Sequence, residues 1–241
     1  MSRIAQLRGC FVTGTDTGVG KTRISAALLH WCTSQGWRSA GFKPVAAGTE
    51  LIAGEQVNDD VLALLQASSI PLTSAEVGPY QFSAACAPHV AAQLEGRSIS
   101  RKTLVQSAQS LAARADLLVV EGVGGFCVPL APDWDSADLA ADLGLPVLLV
   151  VGLRLGCLNH ALLTAQAVEA RGLRLAGWIG NRIDPNLPWA DENIASLTHE
   201  LARRHGATCL GIVPWLAHAE PAQIANYLDH PALLTILRPS T

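Results

Sequence analysis

A glycine-rich turn near the N-terminus constrains the fold of this 241-residue chain more than any other feature. The turn, GTDTGVGKT at residues 14–22, directly follows the apolar run at 10–12 and precedes a helix-like segment at 24–32. A strand, a glycine turn and a helix in this order form a phosphate-binding loop, because N–H groups of the turn and helix start make a concave anion site. Lys21 adds positive charge there, and the Thr22 hydroxyl suits a Mg²⁺ ligand. The motif therefore predicts binding of ATP or GTP.

The spacing of the loop departs from the usual pattern in one respect. The usual motif places its first glycine five residues before the second, which is Gly20 here. That position holds Thr15, and the glycine lies one residue earlier, at Gly14. A flexible turn without a ligand is the alternative interpretation, and the strand and helix on either side favour nucleotide binding over it.

Composition excludes several other classes of protein. Hydrophobic residues make up 49% and charged residues 15%, so a sizeable core is available. The net charge of -3 carries no block of like charge, which argues against a nucleic-acid surface. The longest apolar run, at 143–153, is too short and too interrupted for a membrane span. A core strand follows the N-terminus almost at once, so we expect no signal peptide and a soluble, cytoplasmic protein.

Cysteine spacing agrees with a reducing compartment. The six cysteines show neither paired spacing nor a zinc pattern with the histidines, so we expect reduced thiols without disulfide or metal roles. They are Cys10, Cys32, Cys86, Cys127, Cys157 and Cys209.

Alternation of apolar β-prone runs with helix-like segments indicates the fold class. We predict strands at 9–13, 39–43, 117–121, 146–151, 175–181 and 209–213. Helices are predicted at 21–34, 59–67, 100–114, 137–143, 159–171, 191–205 and 221–229. Strands without alternation are buried on both faces, which predicts a doubly wound, mostly parallel α/β sheet with helices on both faces. No boundary divides the chain, so we expect one domain over 1–241, with loops at 49–58 and 71–88 able to contact substrate.

Polar side chains at predicted strand ends are candidates for the site, because ligands of such sheets bind at the carboxyl edge. Glu121 ends an apolar strand and is predicted to hold Mg²⁺. Lys43 is one of only three lysines in the chain. Its side chain either stabilises charge in phosphoryl transfer or extends to the surface, and the residues alone favour neither interpretation. Asp60 by itself is typical of a helix-start acid. Asn181 either contacts a nucleobase or is an ordinary turn residue at a strand end. The helix start at 156–159 either binds a carboxylate or is an ordinary helix start.

Taken together, the motifs resemble those of the dethiobiotin synthetase family over nearly the whole chain. Apart from the phosphate loop, no single motif identifies the family, but the occurrence of all of them in this order and at these intervals is highly specific. They are GTDTGVGKT, GFKPVAAG (41–48), NDD (58–60), VEGVGG (120–125), GCLNHA (156–161), GWIGN (177–181) and VPWL (213–216).

The resemblance implies a phosphate-loop NTPase-like fold and assigns roles to individual residues. Lys43 matches the active-site lysine of the family and Lys21 the catalytic lysine of the loop. Thr22, Asp60 and Glu121 would hold Mg²⁺. The family often has serine where this chain has Ala47, so one substrate contact differs, and Thr49 or a backbone amide is the candidate replacement. ATP would contact Thr17, Gly18, Val19, Gly20, Lys21, Thr22, Asp60, Glu121, Gly122, Val123, Gly124, Asn181, Val213, Pro214 and Trp215.

The same resemblance implies a ligase of biotin synthesis that uses 7,8-diaminononanoate, CO₂ or bicarbonate, and Mg-ATP. The substrate carboxylate would dock on a helix start of the partner subunit, at Gly156, Cys157, Leu158 and Asn159, which implies a homodimer. No nucleic-acid or membrane partner is expected.

Three other classes compete with this interpretation. A partitioning or positioning ATPase carries a signature lysine where this chain has Asp16, which argues against that class. An amidotransferase synthetase of the cobyrinate type needs a glutaminase domain, for which 241 residues leave no space. A nucleotide-binding module without catalysis requires that Glu121 and Lys43 both be idle.

Overall fold

A central parallel sheet organises the chain in the computed structural model, which describes residues 7–52, 54–228 and 231–237. The strands are β1 (Gly9–Gly14), β2 (Ser39–Phe42), β3 (Val45–Ala47), β4 (Glu50–Ile52), β5 (Glu55–Val57), β6 (Tyr80–Phe82), β7 (Leu117–Glu121), β8 (Pro129–Ala131), β9 (Trp134–Asp135), β10 (Val147–Leu153), β11 (Leu175–Arg182) and β12 (Thr208–Val213). The helices are α1 (Lys21–Ser34), α2 (Asp59–Ala67), α3 (Ser74–Val77), α4 (Pro88–Leu94), α5 (Arg101–Ala112), α6 (Ser136–Leu143), α7 (Cys157–Ala170), α8 (Ala190–His205), α9 (Pro221–Ala225) and α10 (Pro231–Leu237).

The sheet has the strand order β12-β11-β10-β1-β7-β2, and all neighbouring strands in it are parallel. Successive side chains of a strand enter two different cores: Phe11 belongs to one, and Cys10 and Val12 belong to the other. Helices α4 to α8 contribute to the first core, whereas α1, α2, α9 and α10 contribute to the second. Apolar runs such as LLVVE in β7 are therefore buried on both faces. The predicted doubly wound α/β fold is confirmed.

The six strands predicted from the sequence all belong to this sheet, with bounds that differ by at most two residues. Helices α1 and α2 begin and end as predicted, and α5 to α8 differ by one or two residues. The helix predicted at 221–229 ends at Ala225, and the predicted end, Asp229, lies outside the described residues.

Two stretches predicted as loops contain regular structure. The stretch 49–58 contains the antiparallel pair β4–β5, and 71–88 contains α3, β6 and the first residue of α4. Strand β6 pairs in parallel with β3, which directly follows the sheet strand β2 and Lys43–Pro44. These ladders are three residues long, too short to produce a periodic signal in the sequence, so the loop prediction was wrong there.

The carboxyl edge of the sheet collects the predicted site. The phosphate loop follows β1, Lys43 follows β2, and Glu121 is the last residue of β7. Since β1 lies between β10 and β7, the loop is at the centre of this edge. No helix in the described part of the chain has the length and apolar character needed to span a membrane.

Candidate active site

Two glycines shape the turn between β1 and α1. A side chain at Gly14 would bring its Cβ within 2.7 Å of the Val19 side chain, so the glycine is needed at this position rather than at Thr15. Gly20, the N-cap of α1, has a φ of 93°, a left-handed conformation that favours glycine. A Cβ there would also lie 2.2 Å from the Asn181 amide nitrogen. The off-register glycine of the motif thus has a steric cause.

The loop lysine is held inside its own turn. Lys21 is 6% exposed, and its Nζ donates to the backbone carbonyl of Asp16 at 2.9 Å. Burial, followed by repulsion from Lys43, lowers the pKa of Lys21 to about 8, although Glu121 and nearby acids oppose the shift. The ammonium is therefore poised to gain stability from an anion placed in the loop.

Three oxygen-bearing side chains converge at the start of α1. The Thr22 hydroxyl lies 2.6 Å from Oδ1 of Asp60 and 2.8 Å from Oε1 of Glu121. A hydroxyl has one proton, so it donates to only one of the two carboxylates at a time. The Glu121 Oε2 atom is buried without a hydrogen-bond partner. A group of oxygen ligands with an unsatisfied carboxylate atom fits Mg²⁺, which retains water and phosphate as further ligands.

Lys43 contacts the same two carboxylates. Its Nζ is 2.7 Å from Oδ2 of Asp60 and 2.6 Å from Oε1 of Glu121. Burial, the largest influence, disfavours the ammonium, but the charges of Glu121 and Asp60 outweigh it and raise the pKa of Lys43 above its ordinary value. Only 2% of Lys43 is exposed, so the surface position considered for this lysine is wrong.

Asp60 owes its position to the start of α2. The Asn58 side chain accepts hydrogen bonds from the backbone N–H groups of Asp60 and Val61, which makes it the N-cap of this helix. Its amide donates in turn to the Gly48 carbonyl at 2.7 Å. Burial opposes ionisation of Asp60, but Lys43 and Thr22 together lower its pKa. The acid is thus both a helix-start acid and part of the site.

A cavity of about 830 Å³ joins these groups. Its wall includes the loop, both lysines, both carboxylates and several small residues that the resemblance assigned to substrate or ATP. The four consecutive residues 85–88 also line it, as expected for the stretch 71–88, whereas the described residues of 49–58 do not. The lining residues are Asp16, Thr17, Gly18, Gly20, Lys21, Thr22, Arg23, Lys43, Ala46, Ala47, Asp60, Ala85, Cys86, Ala87, Pro88, Glu121, Val123, Gly124, Gly125 and Val128.

The residues predicted for the nucleobase lie beside the loop and outside this cavity. Asn181 pairs in register with Val213 on the neighbouring strand, and its amide donates to the Val19 carbonyl at 2.9 Å. Pro214 is half-buried and Trp215 is exposed, directly after β12. Since Asn181 is buried and bonded to the loop, it supports the loop backbone as well as bordering the predicted base site.

The predicted carboxylate site lies at the start of α7, also outside the cavity of this chain. Gly156 is the N-cap with a φ of 93°, and no side chain caps the first N–H groups. Cys157 is buried, Leu158 is half-buried and Asn159 is exposed. The structure therefore does not join this helix start to the catalytic cavity within one chain.

Several residues near the loop had no assigned role in the sequence. Arg23 lines the cavity and donates to the Leu216 carbonyl at 3.0 Å. Arg154 pairs with Asp16 at 2.5 Å across 138 positions of sequence. The sequence carries no local signal for such distant pairs, although Arg154 directly follows the apolar run of β10.

A buried lysine in a glycine turn, a hydroxyl at the start of α1, and acids at the end of β7 and the start of α2 define a class. They are typical of the phosphate-loop proteins that bind nucleoside triphosphates. Solved structures show the same fold. The cell division ATPase MinD of Pyrococcus furiosus matches with a TM-score of 0.53 and 14% identity over 92% of this chain and 97% of that chain. The MinC:MinD cell division complex of Aquifex aeolicus matches with a TM-score of 0.51 and 16% identity, over 87% of this chain and 82% of that chain.

Sequence relatives define the family more narrowly. Residues 8–223 match the sequence model of an AAA domain family. The ATP-dependent dethiobiotin synthetase of Aromatoleum aromaticum is 51% identical over 224 residues, 93% of this chain and 98% of the relative. That of Janthinobacterium sp. is 50% identical over 228 residues, 93% and 95% of the two chains. This chain belongs to the family of ATP-dependent dethiobiotin synthetases, which are ligases.

Proposed function

We propose that the chain joins CO₂ to 7,8-diaminononanoate with conversion of ATP to ADP and phosphate, closing the cyclic urea of dethiobiotin in biotin biosynthesis. One observation carries the proposal: Lys43 is buried between Asp60 and Glu121 in the cavity that contains Lys21 and the phosphate loop. Two ammonium groups therefore face one cavity, where they are able to stabilise the negative charge of a phosphoryl group during its transfer.

The proposed reaction has three steps. An amine nitrogen of the substrate adds to the carbon of CO₂ and loses a proton, giving a carbamate. A carbamate oxygen then attacks the γ-phosphorus, the bond to the β–γ bridging oxygen breaks, and ADP leaves. Finally the second amine attacks the carbamoyl carbon, loses a proton and expels phosphate as the ring closes. Proximity matters because the mixed anhydride must cyclise before water reaches it.

The two lysines have different roles in this sequence. Lys21 donates from the loop to the phosphates of the nucleotide, as its position in the turn permits. Lys43 stabilises charge on the transferring phosphoryl group and on the carbamate that attacks it. The half-buried Ala47 lines the cavity without offering a hydroxyl to the substrate.

Mg²⁺ fits the oxygen set of Thr22, Asp60 and Glu121, and these residues would hold it. When bound, the ion neutralises phosphate charge and restrains the phosphates. We assign the rest of the ATP site to residues of the loop and of the ends of three strands. This assignment is supported by the contact of Asn181 with Val213 on the neighbouring strand and with the loop. They are Thr17, Gly18, Val19, Gly20, Gly122, Val123, Gly124, Pro214 and Trp215.

We further propose a homodimer in which Gly156, Cys157, Leu158 and Asn159 of one subunit bind the substrate carboxylate of the other. Support comes from the start of α7, where no side chain caps the helix and the N–H groups of Leu158 and Asn159 suit a carboxylate, and from its position outside the cavity of its own chain. The proposed compartment is the cytoplasm, an assignment supported by the six cysteines, which are all free thiols.

The test is to incubate the purified protein with Mg-ATP, bicarbonate and the diamine. We expect phosphate release that depends on the diamine, and a product mass that corresponds to the ureido ring. A nonanoate with a single amine is the matched control, because it forms a carbamate but offers no second nitrogen for ring closure. Hydrolysis of ATP that is independent of the diamine, with no ring product, would falsify the proposal.

A further inference from the structure

Charges that line the phosphate cavity cancel one another. Its acidic side chains are Asp16, Asp60 and Glu121, and its basic side chains are Lys21, Arg23 and Lys43. In a cavity whose side-chain charges sum to zero, each acid that stays charged weakens the attraction between the basic side chains and a triphosphate. Two of the acids have a use as oxygen ligands beside Thr22, whereas Asp16 has none.

Asp16 accepts hydrogen bonds from three residues, two in the loop itself and one that follows β10. Its Oδ1 accepts the Thr17 backbone N–H at 2.7 Å, and its Oδ2 accepts from the Arg154 guanidinium at 2.5 Å. Its carbonyl accepts from Lys21. The Thr17 N–H first, and then Arg154, keep the pKa of the Asp16 carboxyl below its usual value, so it remains negatively charged. The residue that anchors Lys21 therefore brings a charge unfavourable to phosphate into the loop.

Arg154 is the counterion of this charge and comes from a rigid part of the fold. It directly follows β10, whose residues are all buried, and its carbonyl accepts the Cys157 N–H at the start of α7 at 3.1 Å. Arg154 does not itself line the cavity. It therefore approaches Asp16 from outside the wall, where it is able to neutralise the carboxylate without occupying space needed by the nucleotide.

We propose that Arg154 is a positioning residue for ATP: it neutralises Asp16 and holds it so that the loop accepts the triphosphate. The proposal rests on ATP binding in the proposed function. If Arg154 acts in this way, ATP binding depends on Arg154 only while Asp16 is charged. A residue that only stabilised the fold would be needed whether or not Asp16 is charged.

The test measures the affinity of Mg-ATP by titration calorimetry in the absence of the diamine. Arg154→Met should raise the dissociation constant about fivefold, as expected for a partly exposed charge pair. Adding Asp16→Asn to this variant should restore affinity to about the wild-type value, because the uncompensated charge is removed while the Thr17 N–H keeps an acceptor. The defect of the single variant should shrink at high salt, where such charges are screened.

Arg203→Met is the matched control, since Arg203 forms an exposed pair with Glu200 on α8. Its affinity for Mg-ATP should equal that of the wild type. Unchanged affinity in Arg154→Met, or a double variant that binds no better than Arg154→Met, overturns the inference. A wild-type protein that binds Mg-ATP but forms no ureido product contradicts the proposed reaction and leaves this inference standing.

Discussion

The Lys43 ammonium lies 2.6 Å from Oε1 of Glu121, a fully buried carboxylate whose other oxygen has no hydrogen-bond partner. A buried charge pair of this kind contributes little to stability by itself, because desolvation of both groups offsets their attraction. The pair keeps two opposite charges buried in the wall of the cavity. We expect Mg²⁺ and phosphate to share these groups, with Lys43 turning towards the phosphate as Glu121 takes up the ion.

Replacement of Lys43 by glutamine should lower turnover by about two to three orders of magnitude, as the loss of a charge-stabilising donor does. Binding of ATP should persist, because the loop and Lys21 are unchanged. Steady-state rates and calorimetric titration with ATP measure the two effects. Lys102→Gln, the same change at an exposed lysine, is the control and should retain full activity. Near-normal turnover in Lys43→Gln would remove this residue from the mechanism.

Affinity for Mg-ATP should decrease as the pH rises above about 8, the pKa of Lys21 in the free site. Below that pH the ammonium is charged in both free and bound protein, so affinity is constant. Above it, binding must first protonate the lysine, and affinity falls by up to about tenfold per pH unit. Titrations between pH 7 and 9.5 measure this. Lys21→Met should bind weakly with no such inflection, and an identical inflection in that variant would assign it to another group.

Conversion of Glu121 to glutamine should raise the Mg²⁺ concentration needed for half-maximal activity by at least about tenfold, since changes even beside metal ligands cost that much. The substitution keeps the shape of the side chain and removes its charge. Activity measured against Mg²⁺ at saturating ATP gives the result. Glu192→Gln on the exposed side of α8 should leave the Mg²⁺ requirement unchanged. An equal requirement in both variants would exclude Glu121 as a ligand.

Loss of the α2 cap in Asn58→Ala should lower the free energy of unfolding by about 1–2 kcal/mol. Because Asn58 also positions Asp60, the Mg²⁺ requirement should rise as well. Ser100 caps α5 by accepting the Thr103 N–H, so Ser100→Ala is a control for cap loss outside the site. Denaturant unfolding should show losses in both variants, but kinetic changes only in Asn58→Ala. Wild-type kinetics for both would show that the cap does not position Asp60.

Restoring the hydroxyl with Ala47→Ser should lower the KM for the diamine by about fivefold, the value of one additional hydrogen bond. Ala47 is half-buried and lines the cavity, so the new group reaches substrate without entering the core. Thr49, the other candidate for this contact, bonds Gln56 at 2.6 Å instead. Thr49→Ala should therefore leave the KM unchanged. An increase in KM for Thr49→Ala would reverse this assignment.

Much of the fold was predictable because its signals are local. The strand, turn and helix around Lys21 occupy consecutive residues, and the buried strands carry uninterrupted apolar runs. The rule that ligands bind at the carboxyl edge then selected Lys43 and Glu121 as candidates. The pair β3–β6 was missed because its two strands lie far apart in the chain, and the β4–β5 hairpin because three-residue strands give no periodic signal.

The sequence by itself determined the phosphate loop, the doubly wound sheet and the residues that resemble those of one family, since each depends on neighbours in the chain or on a fixed order of motifs. Only the tertiary structure decided which charges meet. Lys43 and Glu121 are 78 positions apart, and Asp16 and Arg154 are 138 apart. Parallel strands bring their ends together whatever their separation in sequence, so the charge balance of the site is a property of the folded sheet.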